Sequence, residues 1–169
     1  MHRLHCSLFI TFVLLSLVAC NQEKTLPQTV SDKDTYFSIS IDDIPLNLQL
    51  ALNQSEQAKG LMYRDSIPEN HGMLFLFERP GPRAFWMRNT RIPLDLAYFD
   101  TNGCLLEIHK LYPYDENAVP SRSHEILIVV ETNQGWFQRN NVKPGAKINL
   151  KALKQAVRAR GYSPVDYSL

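Results

Sequence analysis

The sequence is poor in cysteine and lacks an excess of charge of either sign. It has three cysteines in 169 residues, and its 18 basic and 17 acidic side chains nearly cancel. A nucleic-acid partner would require a basic patch, so none is expected. The sequence also lacks an apolar run of about 20 residues, the length that spans a membrane. The chain has room for one ordinary domain.

The N-terminus has the pattern of a bacterial lipoprotein signal. Residues 1–19 combine one arginine, an apolar stretch from Leu8 to Val18 broken by Thr11 and Ser16, and a small residue before Cys20. The last four residues of this segment, Leu-Val-Ala-Cys, resemble the lipobox, which implies cleavage after Ala19 and acylation of Cys20. We therefore expect an extracytoplasmic protein anchored to a bacterial membrane by lipid. Asn21 is not the Asp of inner-membrane retention, so in a cell with two membranes we expect the outer one.

Processing removes Cys6 and acylation uses Cys20, so Cys104 remains alone and no intramolecular disulfide can form. The folded part must therefore depend on its apolar core. Residues 20–35 are polar and predict a tether. Residues 36–169 then form one β-rich domain.

Alternating apolar residues predict a mainly β fold. About eight short strands are expected, among them segments at 36–41, 46–52, 73–77, 84–87 and 94–99, with later ones at 104–111, 125–130, 136–138 and near Leu150. Asn53, three residues before Glu56, predicts the start of a short helix after the second strand. Leu153, Ala156 and Val157 predict a C-terminal helix. The architecture indicated is a single-domain β-sandwich or distorted barrel.

Four segments stand in a fixed order: "EQAKGLM", "GMLFLF", "FWMRNTRIPLDLAYFDTNG" and "VVETNQGW", followed by "VKPGAKINL". Together they resemble the family called domain of unknown function 192, over roughly residues 37–150. The resemblance implies a compact, mostly β fold and supplies no established activity or catalytic residue. Two positions depart from the family pattern. Gln57 stands where Arg is common, and Cys104 stands where the strand usually opens with another residue. The tail at 151–169 lies outside the matched region.

Within these segments, the strip from Trp86 to Asp95 is the candidate binding site. Trp86 could stack on a ligand, while Arg88, Asn89 and Asp95 could form hydrogen bonds. His71 and the RPGPR turn at 79–83 could form the rim. Such a cleft would suit sugar or peptidoglycan fragments and small carboxylates. The alternative is a structural network in which Arg88, Asn89 or Arg91 pairs with the carboxylate of Asp95, because a lone buried acid is costly.

Two further functions stay open. The three methionines that remain after processing, Met62, Met73 and Met87, could bind Cu(I) together with His71, since thioether and imidazole are copper ligands. An envelope hydrolase is the other possibility, although no GxSxG, HExxH, CxxC, P-loop or GxGxxG motif is present. An enzyme would place an acid or a histidine of strongly shifted pKa inside a cleft.

The function that the sequence favours is therefore a binding or envelope-accessory module without a cofactor, and more a binder than an enzyme. Its expected partners are the membrane, through acylated Cys20, and a small molecule or an envelope protein. Cys20 is the lipidation site, and no residue is assigned as catalytic.

Overall fold

The structure, a computed structural model, describes residues 30–169. The predicted signal peptide, Cys20 and residues 21–29 of the predicted tether lie outside the described residues. The remaining part of that tether contacts the domain. The N–H of Ser31 donates to the carbonyl of Ala159 at 2.8 Å, and the Gln49 side chain donates to the carbonyl of Asp34 at 2.8 Å.

Two sheets contain the eight strands found within residues 30–169. The strands are β1 (Phe37–Ser38), β2 (Asn47–Ala51), β3 (His71–Gly81), β4 (Ala84–Phe85), β5 (Leu94–Phe99), β6 (Leu105–Leu111), β7 (Val119–Pro120) and β8 (Ile126–Asn133). The large sheet has the order β1-β2-β3-β8-β5-β6, and β4 pairs with β7 in a small second sheet. All pairs are antiparallel except β2 with β3, which are parallel. The mainly β prediction is confirmed, and the described strands do not close into a barrel.

Three α-helices and a 3₁₀ turn complete the described chain: α1 (Gln54–Lys59), α2 (Trp136–Arg139), α3 (Leu150–Ala159) and the turn at Pro164–Tyr167. The capping residue of α1 is the one predicted, because the side chain of Asn53 accepts from the N–H of Glu56 at 3.0 Å. The C-terminal helix is also confirmed. None of the helices within residues 30–169 is long and apolar enough to cross a membrane.

Four predicted strands are wrong in type or extent. The segment predicted at 36–41 is a strand only at Phe37–Ser38, and Ile41 makes only isolated bridges. Residues 136–138 form α2, because Gly135 adopts a φ of 85° and turns the chain after β8. Near Leu150 the chain makes only isolated bridges, from Lys147 and Ile148, before α3 begins. The strand at 84–87 ends at Phe85, since the chain turns there and Met87 donates to the carbonyl of Asp115.

The large sheet has an apolar layer on each face. Side chains alternate along a strand, so the register assigns each residue to one face. Leu74, Val130 and Ala97 lie side by side on the first face, which α3 covers. Their neighbours Phe75, Val129 and Tyr98 lie on the second face, where Phe85 of the small sheet packs edge-on against Phe75 with ring centroids 4.9 Å apart.

Gly72 is required where β3 meets β8. A Cβ at this position would lie 2.1 Å from the backbone oxygen of Glu131. We expect Gly72→Ala to lower the free energy of unfolding by at least about 3 kcal/mol, because neither backbone can move without breaking the sheet. Gly81→Ala is the matched control, since its Cβ would approach only the Arg83 guanidinium, at 3.7 Å. It should change stability by less than about 1 kcal/mol. Equal urea midpoints for the two variants would contradict this account of the sheet.

Candidate functional site

A cleft of about 390 Å³ opens on the second face of the large sheet. One wall is α1 with the turn after it, and the opposite wall is the segment from Pro82 to Trp86. The floor is formed by Phe75 of β3 and Glu131 of β8. The volume lies within the range of small-molecule sites, about 300–1,000 Å³. The full lining is Gln57, Ala58, Lys59, Gly60, Leu61, Met62, Phe75, Phe77, Pro82, Arg83, Ala84, Phe85, Trp86, Thr90 and Glu131.

Glu131 is the acid on the floor of the cleft. Its register partners Met73 and Leu96 both belong to the apolar layer of the second face, so its side chain points into that layer. The residue is 5% exposed, and its carboxyl group forms no hydrogen bond with another described residue. Its oxygens are not fully buried, since the fully buried side-chain atoms without a partner among residues 30–169 are His71 Nδ1, Arg83 Nε and Asp95 Oδ1. Burial raises the pKa of Glu131 to about 8. The group is therefore mostly protonated at neutral pH and can donate a hydrogen bond as well as accept one.

Two contacts hold α1 over this floor, one a hydrogen bond and the other apolar. Gln57 donates from Nε2 to the carbonyl of Leu76 at 2.8 Å, near the point where β3 begins to leave its register with β8. The family-atypical glutamine thus supplies a contact between helix and sheet. Gly60 ends the helix with a φ of 48°, and a Cβ there would lie 3.3 Å from the ring of Phe75. The helix end therefore rests directly on the aromatic floor.

Arg83 is the half-buried cation of the opposite wall. Its guanidinium carbon lies 3.8 Å from the centroid of the Phe77 ring, and one terminal nitrogen donates to the carbonyl of Arg79 at 2.5 Å. Its Nε is buried and has no hydrogen-bond partner among the described residues. Burial lowers the pKa of Arg83. The cleft thus carries a buried carboxyl group and a half-buried guanidinium.

Of the predicted strip, only Trp86 and Thr90 line the cleft. Trp86 is 48% exposed, and the guanidinium of Arg88 lies 5.8 Å from its ring centroid. The Asn89 side chain instead donates to the Tyr63 hydroxyl at 2.9 Å, and Arg91 forms an exposed ion pair with Asp65. Strip residues that are close in sequence therefore point to different surroundings.

Asp95 lies on the other face of the sheet. Its register partner is Thr132, the neighbour of Glu131, so the two acids point in opposite directions. Its Oδ2 accepts from the N–H of Gly135 at 2.8 Å, where α2 begins. Burial raises its pKa, and the N–H groups of Gly135 and Phe137 oppose that shift. The expected pairing with Arg88, Asn89 or Arg91 is wrong, because the backbone of a distant turn supplies the donor.

The residues proposed for copper are dispersed among different parts of the second face. Met62 lines the cleft, Met73 lines a small separate cavity, and Met87 is 1% exposed in the apolar layer. The His71 ring lies edge-on to Tyr36 with centroids 4.7 Å apart, and its Nδ1 is buried without a partner among the described residues. Within residues 30–169, no three His, Cys, Asp or Glu side chains come close enough to hold a metal ion.

Comparison with known proteins agrees with the segments noted in the sequence. The chain matches the family DUF192, described as uncharacterized ACR, over residues 37–150. It belongs to the DUF192 family. The matched region contains every residue that lines the cleft, and nearly all of α3 lies beyond it. No curated protein matches the chain.

Two solved bacterial structures are similar to this DUF192 chain. A protein from Sinorhizobium meliloti 1021, described as a candidate transcription regulator, is 32% identical, with a TM-score of 0.65 over 68% of this chain and 95% of that one. A protein of unknown function from Novosphingobium aromaticivorans DSM 12444 is 34% identical, with a TM-score of 0.64 over 68% of this chain and 84% of that one. Both comparisons support the fold.

Sequence reasoning missed Glu131. A signal for Glu131 was present, because it directly follows the apolar run Ile126–Val130. An acid at the end of such a run is costly to bury, so it marks a special position. Arg83 ends the proline-rich turn at 79–83, which was expected at the rim of the site, but the sequence does not distinguish this residue from the rest of the turn. Only the folding of that turn over Phe77 reveals it.

The buried acid predicts how the stability of this DUF192 chain depends on pH. Unfolding restores an ordinary pKa near 4.5, so from pH 4.5 to about 8 the folded chain retains a proton that the unfolded chain has lost. The stabilising contribution of protonated Glu131 is complete below pH 4.5 and declines through this window. Relative to Glu131→Gln, wild type should therefore lose about 5 kcal/mol across it.

Urea unfolding at intervals from pH 4 to pH 9 measures this difference. Glu116→Gln, at an exposed loop position, serves as the control and should follow wild type at every pH. A constant difference between wild type and Glu131→Gln would mean that Glu131 is ionised in the folded protein.

Proposed function

We propose that this protein is a lipid-anchored, extracytoplasmic binding module whose cleft takes a small molecule of the cell envelope. One observation carries the proposal: a carboxyl group without a partner among the described residues lies on the floor of a cleft lined with aromatic rings. A carboxyl group that reaches an open cleft and forms no hydrogen bond within the chain can take its partner from a ligand.

The lipid anchor rests on the sequence of the N-terminal segment. Acylation at Cys20 would keep the domain at the membrane surface, where the polar tether leaves the cleft accessible to envelope components. Several acyl chains would make the attachment firm, since each buried CH₂ contributes about 0.8 kcal/mol.

The anchor can be tested by metabolic labelling with an alkyne analogue of palmitate in a bacterial host. Wild type should acquire the label and Cys20→Ala should not. Cys104→Ala is the matched control and should be labelled like wild type. Label on Cys20→Ala, or none on wild type, would contradict lipidation at Cys20.

Binding in the cleft can be tested with peptidoglycan fragments and small carboxylates at millimolar concentration, followed by amide chemical shifts. At least one compound should shift the resonances of cleft residues. Ala58→Trp places a large ring on the exposed helix wall and should weaken binding by at least about tenfold. Lys151→Trp, exposed on α3, should leave it unchanged. Absence of binding, or binding indifferent to Ala58→Trp, would contradict the proposal.

Glu131 also favours a second function, because a carboxyl group of raised pKa in a cleft is suited to general acid–base catalysis. Among the cleft residues no Ser, Cys or His accompanies it, so a covalent mechanism has no nucleophile of those types. The binding experiment with peptidoglycan fragments and small carboxylates also distinguishes the two functions. A compound recovered unchanged supports a binding module, whereas conversion that is lost in Glu131→Gln identifies an enzyme.

A further inference from the structure

The cleft is lined by one carboxyl group and one guanidinium that form no ion pair with each other. Glu131 lies on the floor, and Arg83 lies in the wall formed by the turn between β3 and β4. Among residues 30–169, neither side chain forms an ion pair within 4.0 Å. Both therefore lack the counter-charge that partly buried ionisable groups normally have.

The direction of each pKa shift agrees with this geometry. Burial alone raises the pKa of Glu131, and burial alone lowers that of Arg83. Each shift favours the neutral form of its group. An opposite charge nearby would favour the charged form instead.

Aromatic rings line the same cleft as the two groups. Phe75 and Phe85 pack edge-to-face with ring centroids 4.9 Å apart, and both line the cleft. Trp86 extends this surface toward solvent. A molecule in the cleft would therefore contact aromatic rings as well as the two ionisable groups.

We propose that the ligand is a zwitterion with an apolar body, such as an ω-amino acid or a short peptide, which places its ammonium at Glu131 and its carboxylate at Arg83. This inference rests on the proposed function and specifies the ligand class for the same cleft. An ammonium supplies the counter-charge and the donors that Glu131 lacks, and the rings attract cations by their π faces. A carboxylate supplies the counter-charge that the guanidinium of Arg83 lacks.

Matched alkyl compounds test this assignment. The probes are the ω-amino acids from 4-aminobutanoate to 8-aminooctanoate, with hexylamine and hexanoate as compounds of equal body that each lack one charge. We expect one member of the amino-acid series to bind at least about tenfold tighter than hexylamine and hexanoate at pH 8. The best chain length then reports the span between the two charged groups.

Two substitutions separate the ends of the ligand. Glu131→Gln should reduce the affinity for the best ω-amino acid to about that of hexanoate. Arg83→Met retains an apolar stem over Phe77 and should reduce it to about that of hexylamine. Arg79→Met is the matched control, because the Arg79 side chain is exposed and lies outside the cleft lining. It should bind like wild type.

The pH profile of wild type tests the same contact without a substitution. An ammonium requires ionised Glu131, whose pKa is about 8, so affinity for the ω-amino acid should rise about tenfold from pH 7 to pH 9. Lys59 and Arg83 line the cleft, while Tyr98, Glu107 and His109 share the sheet face of Glu131. Glu131→Gln should remove the rise if Glu131, rather than one of these groups, is responsible.

The binding results separate failure of the zwitterion assignment from failure of the proposed function. Binding of hexanoate as tight as that of the best ω-amino acid, or a flat pH profile, overturns the zwitterion assignment and leaves the binding module standing. The assignment is likewise overturned if a peptidoglycan fragment binds in the cleft and the whole ω-amino acid series does not. If no compound of either panel binds, both the assignment and the proposed function fail.

Discussion

Burial of the Glu131 carboxyl group is the constraint on which the candidate site depends. A carboxyl group in an apolar layer loses its hydration, and a net cost of several kcal/mol follows unless it is protonated or paired. Here the sheet register directs the side chain into that layer beside Met73 and Leu96. Protonation limits the cost, and the cleft above the group gives access to a partner from outside.

The elements around the cleft have roles that follow from this position. Gln57 binds the carbonyl of Leu76, and Gly60 allows the end of α1 to rest on the ring of Phe75. The opposite wall depends on Arg83 lying over Phe77. The site is therefore built from contacts between a short helix, a turn and the sheet, and no single sequence segment contains it.

Sheet geometry gives two acids on adjacent strands different surroundings and different roles. Asp95 and Glu131 occupy neighbouring rungs of the same sheet but point to opposite faces. The first accepts the N–H of Gly135 and fixes the start of α2. The second faces an open cleft and has no partner among the described residues. Residue type alone could not distinguish these roles, because both acids follow or interrupt apolar runs.

The period of apolar residues was enough to predict the mainly β fold, the helix capped by Asn53 and the C-terminal helix, because local alternation and capping are properties of neighbouring residues. The same local rules predicted a strand at 136–138, where Gly135 and the distant carboxylate of Asp95 instead start α2. The sequence also determined the family. Tertiary structure alone decided which face of the sheet each acid occupies. It also decided that Arg83 and Glu131 line the same cleft. Both depend on strand register and on contacts between residues that are far apart in the chain.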